Sequence, residues 1–153
     1  MLATLELRIP PPVLALLTAL VMWIGARDNA SFLRPAWLGP LVAGIGVTAG
    51  VILILAVIAL RRAQTTISPI RPEGVSALVQ TGIYGVTRNP IYLADTLALL
   101  AYAFHLWQPQ SFVAVPVFIA WIQRFQIAPE ERALRGAFGA AFGQYTARTR
   151  RWI

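Results

Sequence analysis

The stretch Leu38–Leu60, LGPLVAGIGVTAGVILILAVIAL, decides the fold, because its 23 residues contain no charged side chain. A helix needs about 20 consecutive apolar residues to cross the hydrocarbon core of a bilayer. No water is available at that depth to bond the backbone, so each segment must satisfy its own hydrogen bonds, as a helix does. The stretch therefore predicts a transmembrane helix.

Three further apolar runs surround this one. The first of them is short for a span, but it follows three prolines and lacks the cleavage pattern of a signal peptide, so it predicts a retained helix. The other two are separated by a short Gln-Pro-Gln-Ser connection and predict a helical hairpin. The chain is thus predicted to be an all-α integral membrane protein with about four transmembrane helices. The further runs are Val13–Ala26, Ile91–Trp107 and Ser111–Ala128.

The composition excludes several classes of site. The 153 residues are 58% hydrophobic and 12% charged, against about a quarter charged in an ordinary soluble domain. No cysteine is present, which excludes disulfides, thiolate metal ligands and iron–sulfur clusters. The single histidine, His105, makes a zinc site improbable, and no metal is expected. The net charge of +7 comes entirely from arginines beside apolar runs, which favours anionic lipid headgroups over nucleic acid as partners.

The arginines also predict the orientation. Ten of them fall on one side of a four-span arrangement and two on the other, so the positive-inside rule places both termini in the cytoplasm. We expect an integral protein of a bacterial inner membrane whose cofactor site faces the cytoplasm. The ten are Arg8, Arg61, Arg62, Arg71, Arg88, Arg132, Arg135, Arg148, Arg150 and Arg151, and the two are Arg27 and Arg34.

Most of the sequence outside the apolar runs lies on this predicted cytoplasmic side. It comprises a long connection, Arg61–Pro90, and a segment that begins at about Pro129. Apolar residues recur at helical spacing in that last segment, which predicts an amphipathic helix that either lies on the membrane surface or caps a cofactor site. We expect one membrane domain, 1–153, with two spans in 1–62 and a cofactor-binding loop, hairpin and terminal helix in 63–153. The recurring residues are Leu134, Phe138, Phe142 and Tyr145.

Two features inside the apolar runs carry alternative interpretations. Gly44-Ile45-Gly46 with Gly50 resembles a nucleotide loop, but its position inside a span favours close helix packing, within one chain or between two. Asp95 and Arg124 are costly to bury in lipid, so they either pair with each other or take part in ligand binding.

Two stretches carry a resemblance to a known superfamily. The first runs from Thr81 to Tyr92, TGIYGVTRNPIY, and is compared with T-x-G-x-Y-x-x-x-R-[HN]-P-x-Y, which it follows from Gly82 onward. The second, Glu130-Glu131-Arg132-Ala133-Leu134, continues to Phe138-Gly139 and follows E-E-x-x-L-x-x-x-F-G. Together they resemble the isoprenylcysteine carboxyl methyltransferase and phospholipid methyltransferase superfamily, from about Thr65 onward.

The resemblance implies a methyltransferase that uses S-adenosylmethionine on a lipophilic or lipid acceptor. With an amine acceptor, we expect Glu130 or Glu131 to receive the proton; with a carboxylate acceptor, we expect Arg148 or Arg151 to hold it, and the sequence does not choose between the two. Asn89 stands where many members have histidine, so it cannot serve as a base. The cofactor-binding residues implied are Gly82, Tyr84, Arg88, Asn89, Pro90, Tyr92, Arg124, Glu130 and Glu131.

Two other functions compete with this one. One is a membrane reductase of the sterol reductase type, which uses NADPH. The C-terminal domain of such reductases is distantly similar to this sequence, but their chains are usually longer. A non-enzymatic lipid-binding membrane module would use the arginines for anionic lipid and the glutamates only to favour a helix start. The oligomeric state stays open.

Overall fold

The computed structural model describes residues 6–7, 9–27, 33–63 and 77–153, and within these ranges the protein is helical without a β-strand. The prediction of an all-α fold is confirmed. A 3-10 turn at Gly82–Gly85 precedes the third helix, and a π-helical turn at Gln123–Ile127 joins the last two. The α-helices are α1 (Pro11–Arg27), α2 (Leu38–Arg62), α3 (Pro90–Leu106), α4 (Pro109–Ile122) and α5 (Ala128–Arg148).

Helix α2 contains the charge-free stretch and packs against α3. Its 25 residues correspond to about 38 Å of helix, which exceeds the thickness of the hydrocarbon core. Large apolar side chains such as Val47 and Ile54 are exposed along it. Lipid contact explains an exposed apolar face on a helix of this length, because such a face needs no protein partner in a bilayer.

Within the described ranges, two helical segments are long and apolar enough to cross a membrane: α2, and α4 together with the turn and α5 that follow it, Pro109–Arg148. Helices α1 and α3 are also apolar, but each has 17 residues. That length gives about 26 Å of helix, against about 30 Å of hydrocarbon. Four spans, and the cytoplasmic position of α5, therefore stay predictions.

The glycines of α2 do not pack inside the described part of the chain. A Cβ added at Gly44, Gly46 or Gly50 would meet no neighbouring atom within 4 Å. The expectation that they bring two helices of one chain together is wrong for these ranges. Small residues permit close approach but do not themselves supply the second helix.

The core lies where α1, α3 and α4 meet. Phe118 and Ile122 of α4 are almost completely buried there, against Leu99 of α3 and Met22 of α1. Between α3 and α4, Trp107 adopts a left-handed conformation (φ 54°) and Pro109 begins the next helix. The connection is therefore short, and the two helices pack on each other.

Helix α4 continues into α5 through the π-helical turn. There the N–H of Ala128 donates to the carbonyl of Gln123, five residues earlier. Pro129 follows and has no N–H to donate, which weakens a regular helix at this point. The junction brings Glu130 and Glu131 into the first turn of α5.

Helix α5 is interrupted, which the amphipathic pattern did not predict. Gly139 has φ 49° and ψ −119°, outside the helical region. Glycine adopts a positive φ without a steric penalty from a Cβ, so the interruption falls at this residue. Phe142 and Tyr145, after the interruption, are buried, and they anchor the second half of α5.

Candidate functional site

Tyr92 and Glu130 join the first turns of α3 and α5. The Tyr92 hydroxyl donates to Oε1 of Glu130 over 2.8 Å, and Tyr92 is buried. Burial raises the pKa of Glu130 to about 7; the Tyr92 hydrogen bond opposes this and the nearby charge of Glu131 adds to it. A carboxyl group with this pKa exchanges a proton near neutral pH, as general acid–base catalysis requires.

Glu131 is shared by two arginines that lie far apart in the sequence. Its Oε1 accepts from Nη2 of Arg88 at 3.0 Å and from Nε of Arg151 at 3.1 Å, while its Oε2 accepts from Nη2 of Arg151 at 2.5 Å. Hydrogen bonds between charged groups are stronger than neutral ones. The network therefore ties three segments together at one carboxylate.

The residues after α5 form a C-terminal tail, 149–153, that lies along the Arg88-Asn89 motif. Thr87 and Arg150 form a parallel β-bridge, and the N–H of Arg88 donates to the carbonyl of Arg150 at 3.0 Å. The amide Nδ2 of Asn89 donates to the carbonyl of Arg151 at 2.8 Å. In this position Asn89 is buried and holds the tail.

Arg88 has a structural role beside its ion pair. Its Nη1 donates to the carbonyls of Thr146 and Thr149, at 3.2 and 3.1 Å. Its Nε is buried and has no hydrogen-bond partner within the residues the structure describes. The guanidinium thus fixes the end of α5.

The turn at Gly82–Gly85 is attached to α5 through a tyrosine. The Tyr145 hydroxyl donates to the carbonyl of Tyr84 at 2.6 Å. Burial raises the pKa of Tyr84, and the charges of Tyr145 and Glu130 raise it further. Gly82 has φ 61° and open space where a Cβ would be, so its backbone is accessible to a ligand.

The structure brings most of the predicted site residues together and leaves two at the edge. Arg88 and Arg151 share Glu131, Asn89 donates to Arg151, Tyr92 donates to Glu130, and Tyr84 accepts from Tyr145. Pro90 is buried at the start of α3, and Gly82 begins the 3-10 turn. Arg148 is exposed and donates to the side-chain oxygen of Gln80. Arg124 is half-exposed and pairs with Glu6 at 2.7 Å instead of Asp95.

The suggested Asp95–Arg124 pair is therefore wrong. Oδ2 of Asp95 is buried without a hydrogen-bond partner among the described residues. Arg124 instead pairs with a residue 118 positions earlier in the chain, which the sequence positions of Asp95 and Arg124 did not reveal.

Sequence reasoning missed Thr87, Tyr145 and Glu6 as contributors. Thr87 is completely buried, and its hydroxyl contacts the carbonyl of Arg151. The only sequence feature that pointed to Thr87 was its position directly before Arg88 and Asn89. No group of three or more His, Cys, Asp or Glu side chains that could hold a metal occurs within the described ranges.

Comparisons with known proteins relate the chain to one family. A family model described as phospholipid methyltransferase matches residues 37–141, more than half of the chain. The match includes the Arg88 motif, the hairpin and both glutamates, and it ends before the C-terminal tail. A protein of Haemophilus influenzae described as uncharacterized is 38% identical over 63 residues, which are 41% of this chain and 100% of the relative. No solved structure matches.

Proposed function

The chain belongs to the phospholipid methyltransferase family, and from this premise we propose that it transfers a methyl group from S-adenosylmethionine to a lipid-borne acceptor. The observation that carries the proposal is the cluster of Glu130 and Glu131 with Tyr92, Arg88 and Arg151, at one end of apolar helices. A site at the end of membrane helices is open to a soluble cofactor and close to lipid.

The side chains of the cluster fit the charges of the proposed cofactor. S-adenosylmethionine carries an ammonium, a sulfonium and a carboxylate. Glu130 and Glu131 offer anionic oxygens to the cations, and the Tyr84 and Tyr92 rings offer π faces. The Arg88 guanidinium supplies a positive charge that suits the carboxylate. Asn89 is occupied with the tail, and we assign it a supporting role.

Bound at this cluster, the cofactor supplies an electrophilic methyl group. The chain must then orient the acceptor and manage its proton. An amine acceptor loses a proton on methylation, and Glu130, with its pKa raised to about 7, is suited to receive it. The Tyr92 hydroxyl holds that carboxyl group in place.

A carboxylate acceptor would need a cationic side chain instead. Arg151 is held by Glu131, and Arg148 donates to Gln80. We therefore favour an amine headgroup as the acceptor. The catalytic role of Arg148 and Arg151 then becomes one of holding the loop and tail around the site.

We further propose that the site faces the cytoplasm of a bacterial inner membrane, with both termini on that side. Arg61 and Arg62 end α2, and Arg88 and Arg132 lie near the starts of α3 and α5, as the positive-inside rule requires of one cytoplasmic surface. Arg8 and Arg71, which entered the same prediction, lie outside the described residues.

The test is a calorimetric titration of the detergent-purified protein with S-adenosylmethionine and S-adenosylhomocysteine. We expect binding by the parent and by Arg62→Gln, an exposed arginine distant in sequence from the cluster, and loss of binding in Glu130→Ala. Folded parent protein that binds neither compound would refute the proposal. NADPH in the same titration tests the reductase alternative, and a lipid-binding module would bind none of the three.

The acceptor is identified in a second assay, with labelled cofactor and lipid vesicles. We expect label to enter an aminophospholipid and not a fatty acid or a prenylated thioether carboxylate. Transfer to a carboxylate and not to an amine would contradict the role given to Glu130.

A further inference from the structure

The start of the chain contacts the junction between α4 and α5. We define the N-terminal arm as Glu6, Leu7, Ile9 and Pro10. The N–H of Leu7 donates to the carbonyl of Phe125 at 3.0 Å, and Nε2 of Gln126 donates to the carbonyl of Ile9 at 2.7 Å. The arm therefore bonds directly to the π-helical turn.

Pro129 explains why the arm binds at this position. In a regular helix the carbonyl of Phe125 would accept from the N–H of residue 129, which proline lacks. The N–H of Leu7 supplies a donor to that carbonyl instead. Buried backbone carbonyls are nearly always paired, so the arm satisfies a group that the proline leaves available.

The carboxylate of Glu6 bridges the junction from outside. Its Oε1 accepts from Arg124 at 2.7 Å and its Oε2 from Arg132 at 2.5 Å. The two arginines are eight residues apart, about 12 Å along a straight helix. Arg124 precedes Pro129 and Arg132 follows it. Because the single side chain of Glu6 holds both, it fixes the direction of α5 relative to α4.

The arm adopts a conformation that its contacts must maintain. Leu7 has φ 57°, in the left-handed region that residues with a Cβ seldom occupy. Backbone strain of this kind persists only where surrounding contacts enforce it, and it tends to occur at functional sites. Here those contacts are the hydrogen bond to Phe125 and the ion pairs of Glu6.

From these contacts we propose that Glu6 is a positioning residue for the Glu130–Glu131 cluster. By holding Arg124 and Arg132, it sets the orientation of the first turn of α5, and with it the two carboxylates. A second effect follows from charge. Without Glu6, the cations of Arg124 and Arg132, one on each side of the junction, lose their shared counterion and repel each other. The proposal rests on the proposed function for its binding readout, but its structural readout is independent of that function.

The structural readout uses the absence of cysteine from the sequence. Val117→Cys and Ala137→Cys place spin labels on exposed positions of α4 and α5, about 30 Å apart along the helix. Pulsed electron paramagnetic resonance then measures their distance distribution in the full chain. We compare the labelled parent with Glu6→Gln, which removes the charge, and Glu6→Asp, which keeps it; Arg62→Gln is the matched control.

We expect one narrow distance peak in the parent and in the control, a broadened or shifted peak in Glu6→Gln, and partial recovery in Glu6→Asp. In unlabelled protein, the dissociation constant for S-adenosylhomocysteine should rise about threefold to tenfold in Glu6→Gln, as exposed ion pairs of this strength allow. Glu6→Asp should lie between Glu6→Gln and the parent.

An unchanged distance distribution in Glu6→Gln would overturn the inference. So would a broadened distribution with unchanged cofactor affinity, because the junction would then not be coupled to the cluster. If Glu6→Gln does not fold, Glu6→Asp decides both questions. A parent that binds no cofactor refutes the proposed function alone, and the distance measurement still judges the role of Glu6 at the junction.

Discussion

Replacing Glu131 by glutamine should release the C-terminal tail from the cluster. The substitution preserves size and some hydrogen bonding but removes the charge that holds Arg88 and Arg151. Two cations then face each other without a counterion. We expect a less stable protein in which the tail contacts are the first to be lost.

The magnitude follows from how exposed each pair is. The side chains of Arg88 and Glu131 are 13% and 15% exposed, so solvent screens their hydrogen bond little. A hydrogen bond between charged groups of this kind contributes about 1.5–3 kcal/mol to the free energy of unfolding. The Arg151 side chain is 39% exposed, and solvent screening reduces its pair to about 0.5–1 kcal/mol. Since glutamine retains one acceptor, the net loss is about 2 kcal/mol, or a decrease of about 4–8 °C in Tm.

The assay is thermal unfolding in detergent, at one scan rate for all variants because such transitions can be irreversible. Arg150→Gln is the control: its side chain is exposed in the same tail, and we expect a change in Tm below about 1 °C. In Glu131→Gln, the further change Arg151→Gln should have little effect, because its partner is already lost. A Tm for Glu131→Gln within 1 °C of the parent, or full additivity of the two changes, would refute the reasoning.

Three further predictions concern the same region. Because folding raises the pKa of Glu130 from about 4.5 to about 7, the unfolded chain loses this proton at lower pH than the folded protein. The stability that protonated Glu130 contributes is therefore present below pH 4.5 and is lost as the pH rises to about 7, by up to about 3 kcal/mol. Glu130→Gln should abolish this loss in thermal melts between pH 4.5 and 8. Tyr145→Phe leaves the carbonyl of Tyr84 without its donor and should cost about 1–2 kcal/mol in the same melts; no change would show that water replaces the hydroxyl. Asn89→Ala removes the donor to Arg151 and should speed amide exchange of the tail severalfold without affecting α2, as exchange mass spectrometry can measure; equal protection in both proteins would contradict the tail-holding role.

The helices could be predicted from sequence because lipid imposes a simple rule on them. The charge-free stretch and α2 coincide within a few residues, since every apolar side chain there is compatible with lipid and no tertiary partner is needed. The short connection between α3 and α4 could also be predicted, because Gln-Pro lies at its centre.

The junction and the arm could not be predicted in the same way. The π-helical turn looks in sequence like an ordinary continuation of an apolar helix into Pro129. Its contacts with Leu7 and Glu6 join residues more than a hundred positions apart, and neither is marked by a periodic pattern. The partner of Arg124 is Glu6, which the sequence does not indicate. Proximity in the hairpin alone therefore suggested Asp95 as the partner.

The candidate site was predicted at the level of residue types but not of connections. The motif residues and the glutamates follow a recognisable order, and the structure brings them together. Residues 149–153 contribute to the site mainly through their backbone carbonyls, which accept hydrogen bonds from Thr87, Arg88 and Asn89. A carbonyl has no sequence signature, which is why the tail's role became visible only in three dimensions.

The position of that tail has a consequence for biosynthesis. Ribosomes add residues 149–153 after all five helices, so the helices can enter the bilayer while Arg88 still lacks the carbonyls of Thr149 and Arg150. A chain that stops before residue 149 would keep α1 to α5 and lack the tail carbonyls that accept from Arg88 and Asn89.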